Sequence, residues 1–261
     1  MSDTASKNII LDVVNYRKVY SKKVVVPNLS LQVCAGDIFG YIGHNGAGKT
    51  TLIRSIVGAQ PIDGGSISVC GFDVEKNPVK CKQQIAYVPD NPDIYDFMTG
   101  IAYLNYIADM FGVDPTTRVS QIEAYAKRLG IEGALGSQIS SYSHGMRQKL
   151  VIISAFLHKP ALFVLDEPFV GLDPAAAFEV KKMMGEAAAN GAAVFFSSHV
   201  LEVVEKLCNK VAILRTGEII ACGNTEDVRG DESLEQVFME LIANEKNSDG
   251  NNNEATTNTS N

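Results

Sequence analysis

Tryptophan is absent from this 261-residue chain, and its five cysteines, Cys34, Cys70, Cys81, Cys208 and Cys222, stand singly. None has the close spacing of a metal knuckle. A chain of this length buries enough surface to fold without disulfide staples, so ordinary reduced thiols and no zinc site are expected. Long apolar runs are also missing. Stretches such as Leu150 to Ile153 or Ala192 to Phe196 fall far short of the roughly 20 residues of a membrane-crossing helix, so any membrane role must use another chain. Positions 1–8 are polar and contain no apolar stretch of signal-peptide length; the chain is expected to stay inside the cell. Positive charge is scarce as well, 23 Lys and Arg against 30 Asp and Glu for a net −7. That balance lacks the broad basic face of a nucleic-acid binder, and no nucleic-acid partner is expected.

What the chain does have is Gly-His-Asn-Gly-Ala-Gly-Lys-Thr from Gly43 to Thr50, directly after the apolar run Ile38 to Ile42. Gly43, Gly46 and Gly48 let the backbone curl until successive N–H groups point inward at phosphate oxygens. Lys49 reaches the β- and γ-phosphates, and Thr50 offers its hydroxyl to Mg²⁺. Leu52, Ile53, Ile56 and Val57 follow with helical spacing, so the positive end of a helix faces the triphosphate. The loop predicts an ATP or GTP site.

Around it, Val24–Val26, Leu29, Leu31 and Val33 alternate as strands do, followed by a turn at Ala35-Gly36-Asp37. Ile67 and Val69, then Ile85 to Val88, read as further strands. From about 93 to 159 the pattern is helical: Asp114-Pro115 starts a helix whose face carries Val119, Ile122, Ala126 and Leu129 and which stops at Gly130. Sheet character returns at Ala161 to Leu165. A helix from Pro174 stops at Asn190-Gly191, a strand spans Ala192 to Ser197, and a hairpin turns at Thr216-Gly217. Alternating strands and helices imply a largely parallel sheet with an inserted helical subdomain. The tail from 247 to 261 is polar and acidic and is expected to be disordered.

Two further motifs carry chemistry. Leu162 to Leu165 is an apolar strand ending in Asp166-Glu167, a carboxylate pair that a buried strand tolerates at its exposed tip. There Asp166 suits Mg²⁺ and Glu167 suits alignment of an attacking water over the γ-phosphate. Ser143-His144-Gly145-Met146-Arg147-Gln148 precedes an apolar helix, with Ser143 at the N-cap position. Since the chain already has one anion site, this second helix end is best used on the γ-phosphate held by a partner subunit.

The order of these motifs, from about Val19 to Cys222, resembles the ATP-binding subunit of a bacterial ATP-binding cassette (ABC) transporter. The resemblance implies an α/β P-loop NTPase of the ABC ATPase type, with a RecA-like, mostly parallel core, an N-terminal antiparallel β subdomain and an inserted helical subdomain. On this pattern the ATPase domain covers 1–246, with its core at about 1–90 and 160–230, the insert at about 91–159 and a C-terminal helix at about 231–246. Gly43 to Thr50 becomes the Walker A loop, Asp166 and Glu167 the Walker B end, and Ser143 to Gln148 the signature.

The resemblance adds roles that the residues alone do not give. Tyr20 matches the aromatic that stacks on adenine, Gly171-Leu172-Asp173 the loop joining two subunits, and His199 the switch histidine beside the γ-phosphate. Glu167, His199 and Lys49 are then the catalytic set. Gly43, His44, Asn45, Gly46, Ala47, Gly48, Lys49, Thr50 and Thr51, with Tyr20, Asp90, Ser143, Gly145 and Asp173, bind nucleotide. Thr50, Asp166 and Asp90 serve the metal. The imidazoles of His44, His144 and His158 are given structural roles.

Two departures stand out. Asp90 replaces the usual glutamine after Tyr-Val-Pro and is assigned a water-mediated metal contact. The signature reads Tyr-Ser-His-Gly-Met in place of Leu-Ser-Gly-Gly-Gln, with Ser143 and Gly145 kept. The implied protein binds Mg-ATP between two head-to-tail copies, or with a second ABC subunit, at the cytoplasmic face of the membrane. It drives a separate permease, and the form of the signature favours export. The alternatives are a soluble ABC-type ATPase acting on DNA or ribosomes, and a nucleotide-sensing regulatory subunit that does not hydrolyse. The 117 positions from Lys49 to Asp166 leave no room for the long coiled coil of the former, and Glu167 with His199 argue against the latter.

Overall fold

The computed structural model describes residues 8–250 and contains two sheets. The first is antiparallel, in the order β2-β1-β4-β5, built from β1 (Ile9–Tyr20), β2 (Lys23–Cys34), β4 (Gly64–Val69) and β5 (Phe72–Asp73). The second runs β10-β9-β3-β8-β7-β6. It takes β3 (Ile38–Gly43), β6 (Ile85–Val88), β7 (Leu162–Asp166), β8 (Ala193–Ser198) and β9 (Lys210–Arg215) in parallel, with β10 (Glu218–Asn224) antiparallel at one edge. This is the mixed α/β architecture that the alternating pattern predicts.

Sequence reading passed over β1. Its alternation is broken by register shifts between Val13 and Tyr16 and again near Lys18, with Asn15 at φ 50°; bulges erase the period of two that marks a strand. β1 and β2 join through Ser21 and Lys22, both at positive φ (45° and 74°). That is the twist a two-residue hairpin turn demands, and it places Tyr20 at the hairpin tip.

The larger sheet is buried on both faces. Leu162 and Val164 of β7 pack, with Phe39, Tyr41 and Phe195, against the antiparallel sheet and α1 (Lys49–Ile56). Phe163 and Leu165 point the other way, joining Val194 and Phe196 with α5 (His144–Leu157) and α6 (Pro174–Ala189). A parallel sheet covered on both sides reads as continuous apolar runs, which is why these strands were legible.

α2 (Pro78–Gln84) leads into β6, and between β6 and β7 lie α3 (Gly100–Met110), α4 (Pro115–Leu129) and α5, the inserted helices. Asp114 caps α4 by accepting from the Thr116 N–H at 2.8 Å, and Gly130 ends it at φ 66°. The face expected for α4 is corrected at one position. Val119 is 60% exposed, and Arg118 takes its place beside Ile122, Ala126 and Leu129. The Arg118 stem is buried while its guanidinium donates to the Val113 carbonyl (2.8 Å) and pairs with Asp109 (2.6 Å), a division that a long amphipathic side chain allows. Arg128 fastens α4 to α6, gripping both oxygens of Glu186 at 2.8 and 3.1 Å and Glu179 at 3.0 Å.

The chain closes with α7 (Leu201–Leu207), α8 (Thr225–Arg229) and α9 (Leu234–Gly250). α9 carries helix through 247–250, which composition placed in the tail; the rest of that tail, 251–261, lies outside the described residues. Leu234, Val237, Phe238 and Leu241 pack on the core, and once such a turn is anchored each added residue gains a hydrogen bond at little cost. The Arg215 guanidinium at the end of β9 donates to the Leu241 carbonyl at 2.7 Å. Among the described residues no helix is long and apolar enough to cross a membrane.

Candidate active site

β3, β7 and β8 are neighbours in the sheet, and their C-terminal ends bring several of the expected site residues to one place. β3 ends in the glycine loop. Gly46 and Gly48 lie at φ 85° and 101°, in the left-handed region that a side chain resists. Gly43 is needed for space: a Cβ there would stand 2.9 Å from the Leu214 carbonyl oxygen of β9. The loop is propped from outside by the β9–β10 turn, where the Gly217 N–H donates to the Ala47 carbonyl at 3.0 Å. Gly217 itself has φ 84°, and a Cβ on it would fall 1.9 Å from the Val25 carbonyl oxygen.

Lys49 starts α1 and is 7% exposed. Its ammonium donates to the Gly43 carbonyl at 2.5 Å and lies 3.9 Å from Glu167 Oε1. Burial holds the ammonium below its ordinary pKa, opposed by the charges of Glu167 and Asp166. Such a lysine is pinned at the base of the loop by carbonyl oxygens and aimed at any anion placed there.

Thr50 Oγ1 donates to Asp166 Oδ2 at 2.9 Å, joining the loop helix to the end of β7. Asp166 does not stand at an exposed tip. It is 1% exposed, tolerated because its second oxygen accepts from the Ser197 hydroxyl at 2.5 Å. Desolvation still raises its pKa, with the Ser197 and Thr50 hydrogen bonds pulling the other way, as expected for a carboxylate sealed from water.

Glu167 follows at φ 48°, a left-handed backbone for a bulky residue and a strain of the kind held at working sites. Its N–H donates to Ser197 Oγ at 3.0 Å, and its Oε2 accepts from His199 Nδ1 at 2.9 Å. Glu167 thus stands between Lys49 on one side and His199 on the other.

A cleft of about 250 Å³ opens over these groups, lined by Val25, residues 44–46 and 48–51, Asp90, Asp166 and Glu167. His44 and Asn45 lie at its rim, with the His44 ring nitrogen donating to the Asn45 carbonyl at 2.8 Å, while Ala47 is buried behind it. Asp90 reaches the cleft from the loop after β6, and its carboxylate accepts from the Asn91 N–H at 2.9 Å.

Four of the expected residues lie elsewhere. Tyr20 is 42% exposed and outside the cleft lining, its hydroxyl donating to Gln60 and the Lys18 ammonium 5.4 Å above its ring. Gln60 in turn donates to the Thr51 carbonyl at 2.5 Å, so Tyr20 is tied to α1 through one intermediary. Ser143, Gly145 and Asp173 form a second cluster. Ser143 caps α5 by accepting from the Met146 N–H (3.3 Å), and Asp173 caps α6 through the Ala176 N–H (2.9 Å). Lys149 bridges the two helices, donating to Asp173 at 2.5 Å, and this pairing holds the Asp173 carboxyl below its usual pKa. The helix ends touch backbone to backbone: a Cβ on Gly145 would lie 2.4 Å from the Gly171 carbonyl oxygen.

Sequence reasoning missed Ser197, Gln60, Lys149 and Gly217. The one available signal was for Ser197, a hydroxyl at the tip of an apolar strand.

The carboxylate and hydroxyl oxygens of Asp166 and Thr50 are hard donors suited to Mg²⁺, an ion that keeps several waters and takes its other ligands from phosphates. Among the described residues no three or more His, Cys, Asp or Glu cluster as a closed metal cage.

The ABC transporter family model matches residues 26–170. ABC-type transporter ATP-binding protein EcsA of Bacillus subtilis is 35% identical over 227 residues, 85% of this chain and 92% of that protein. Nod factor export ATP-binding protein I of Cupriavidus pinatubonensis is 31% identical, covering 84% of this chain and 67% of that one. A solved ATP-binding subunit of an ABC transporter superposes with a TM-score of 0.86 at 32% identity, over 89% of this chain and 99% of its own. With a phosphate loop, a buried Asp166 and Glu167 gathered at the C-terminal ends of neighbouring strands, the chain belongs to the ABC transporter family as an ATP-binding, ATP-hydrolysing subunit.

Proposed function

We propose that two copies of this chain, or this chain and a second ABC subunit, close head to tail on two Mg-ATP and drive a separate membrane permease. One observation carries the reading. The serine-capped end of α5 and the loop at Asp173 lie together but outside the cleft of their own chain, and a helix end of this kind turns its free N–H groups toward an anion that a second molecule's triphosphate would supply.

Within the cleft, the Gly46 and Gly48 backbone cradles the phosphates and Lys49 neutralises charge at the β- and γ-positions. Thr50 and Asp166 hold Mg²⁺, with Asp90 contributing through water; the metal supplies charge neutralisation across the phosphate oxygens. Glu167 aligns the attacking water and draws on its proton, while His199, hydrogen-bonded to Glu167, holds the γ-phosphate edge of the site. Tyr20 at the hairpin tip supports adenine stacking, a role that requires it to leave Gln60.

An apolar groove of about 500 Å³ runs between the core and the inserted helices, lined in part by Tyr87, Pro89, Ile94, Tyr103, Ile107 and Phe111. It begins at the loop that carries Asp90, and we take it as the seat of the permease at the inner membrane face. The printed role of the Nod factor relative in export supports the outward direction. Light scattering of Glu167→Gln with Mg-ATP tests the pairing. A doubling of mass is expected, and a single molecule at every nucleotide concentration, with and without the permease, overturns it.

A further inference from the structure

Ser197 is fully buried at the end of β8, and the parallel register sets it directly beside Asp166 of β7. Its one hydroxyl does two things at once. The O–H donates to Asp166 Oδ1 at 2.5 Å, and the oxygen accepts the Glu167 N–H at 3.0 Å. The other Asp166 oxygen is left to face Thr50 Oγ1 at 2.9 Å. Nothing in the family match, which ends at residue 170, bears on this strand.

We propose that Ser197 is a positioning residue for ATP hydrolysis: its hydroxyl fixes the rotation of the Asp166 carboxylate and pins the Glu167 backbone in its left-handed conformation. The argument is geometric. A non-glycine residue at φ 48° persists only where its surroundings over-determine it, and the Glu167 N–H is held on one side by the neighbouring strand's hydroxyl. From that backbone the carboxylate projects between Lys49 and His199, 3.9 and 2.9 Å away. Were the N–H released, Glu167 could relax toward ordinary backbone angles and swing off the line to the attacking water. Alanine would also orphan Asp166 Oδ1, whereas a merely space-filling serine would have no reason to meet both residues.

The inference rests on the proposed role of Glu167, so the experiment carries separate arms. Steady-state phosphate release and Mg-ATP affinity by a fluorescent nucleotide are measured on the full chain for wild type, Ser197→Ala, Ser197→Cys and Glu167→Gln. Loss of an outer-shell partner costs about 10- to 100-fold; that fall is expected in the kcat of Ser197→Ala, while Kd stays within about threefold. Ser197→Cys, close in size and a poorer hydrogen-bonding group, is expected to fall in kcat as well and serves if the alanine variant does not fold. Wild-type kcat in either folded variant overturns the inference, as does a loss of Kd equal to the loss of kcat. Full turnover by Glu167→Gln overturns the underlying role of Glu167 and this inference with it.

Discussion

His199 Nδ1 stands 2.9 Å from Glu167 Oε2, joining the loop after β8 to the end of β7. The histidine is half exposed while the glutamate is largely covered. The pair therefore has one member anchored in the sheet and one facing outward; on the proposed function that outward face meets the γ-phosphate.

Glu167→Gln and His199→Ala are each expected to keep Mg-ATP binding and to lose hydrolysis by roughly 10² to 10⁴, the range for a positioned proton-transfer group. Because the two act as a unit, the double variant is expected to be little worse than the poorer single one. Phosphate-release rates for the four proteins measure this. Losses that multiply would show that the 2.9 Å contact has no share in the chemistry.

Asp166 is expected to reduce stability at neutral pH. Its folded-state pKa is raised by burial, so the folded protein resists ionising a group that the unfolded chain ionises freely, and stability falls as pH rises through that window. Asp166→Asn removes the penalty. It is expected to melt higher than wild type at about pH 8, with the difference fading below about pH 3, where the unfolded carboxyl also holds its proton. Thermal melts without nucleotide or magnesium measure it, and a gain that grows toward acid would contradict the sign. Hydrolysis by the same variant is expected to be lost.

Gly217→Ala is expected to loosen the phosphate loop from a distance. The new Cβ would fall 1.9 Å from the Val25 carbonyl oxygen, at a residue whose φ is 84°. Overpacking against backbone costs about 1–3 kcal/mol, and a shift of the turn that relieves it would disturb the Gly217–Ala47 hydrogen bond. A lower melting temperature with weaker ATP binding is expected. A variant that matches wild type in both measurements would show that the Gly217–Ala47 hydrogen bond does not hold the loop.

The residues around the cleft were readable in sequence to the extent that their chemistry is contiguous. Gly43 to Thr50 and Asp166-Glu167 each fit in a few positions, and the strands bearing them are apolar on both faces. Relations between strands left no such trace. Ser197 meets Asp166 only through the β7–β8 register, and Gly217 meets Ala47 across the chain from Thr216-Gly217 to the glycine loop. β1 escaped notice because bulges break its period, and Val119 lost its place in the core to the stem of Arg118. In each case a tertiary contact overrode a local pattern.

Gly145 and Gly171 meet with no side chain between α-carbon and carbonyl oxygen, Lys149 ties α5 to the N-cap of α6, and Arg128 ties α4 to that same α6. The contact is close: a tilt of α5 toward it would press on Gly171, four positions beyond Glu167. On the proposed function this seam is the short path from the inserted helices to Glu167, and a side chain added at Gly145 is expected to disturb it.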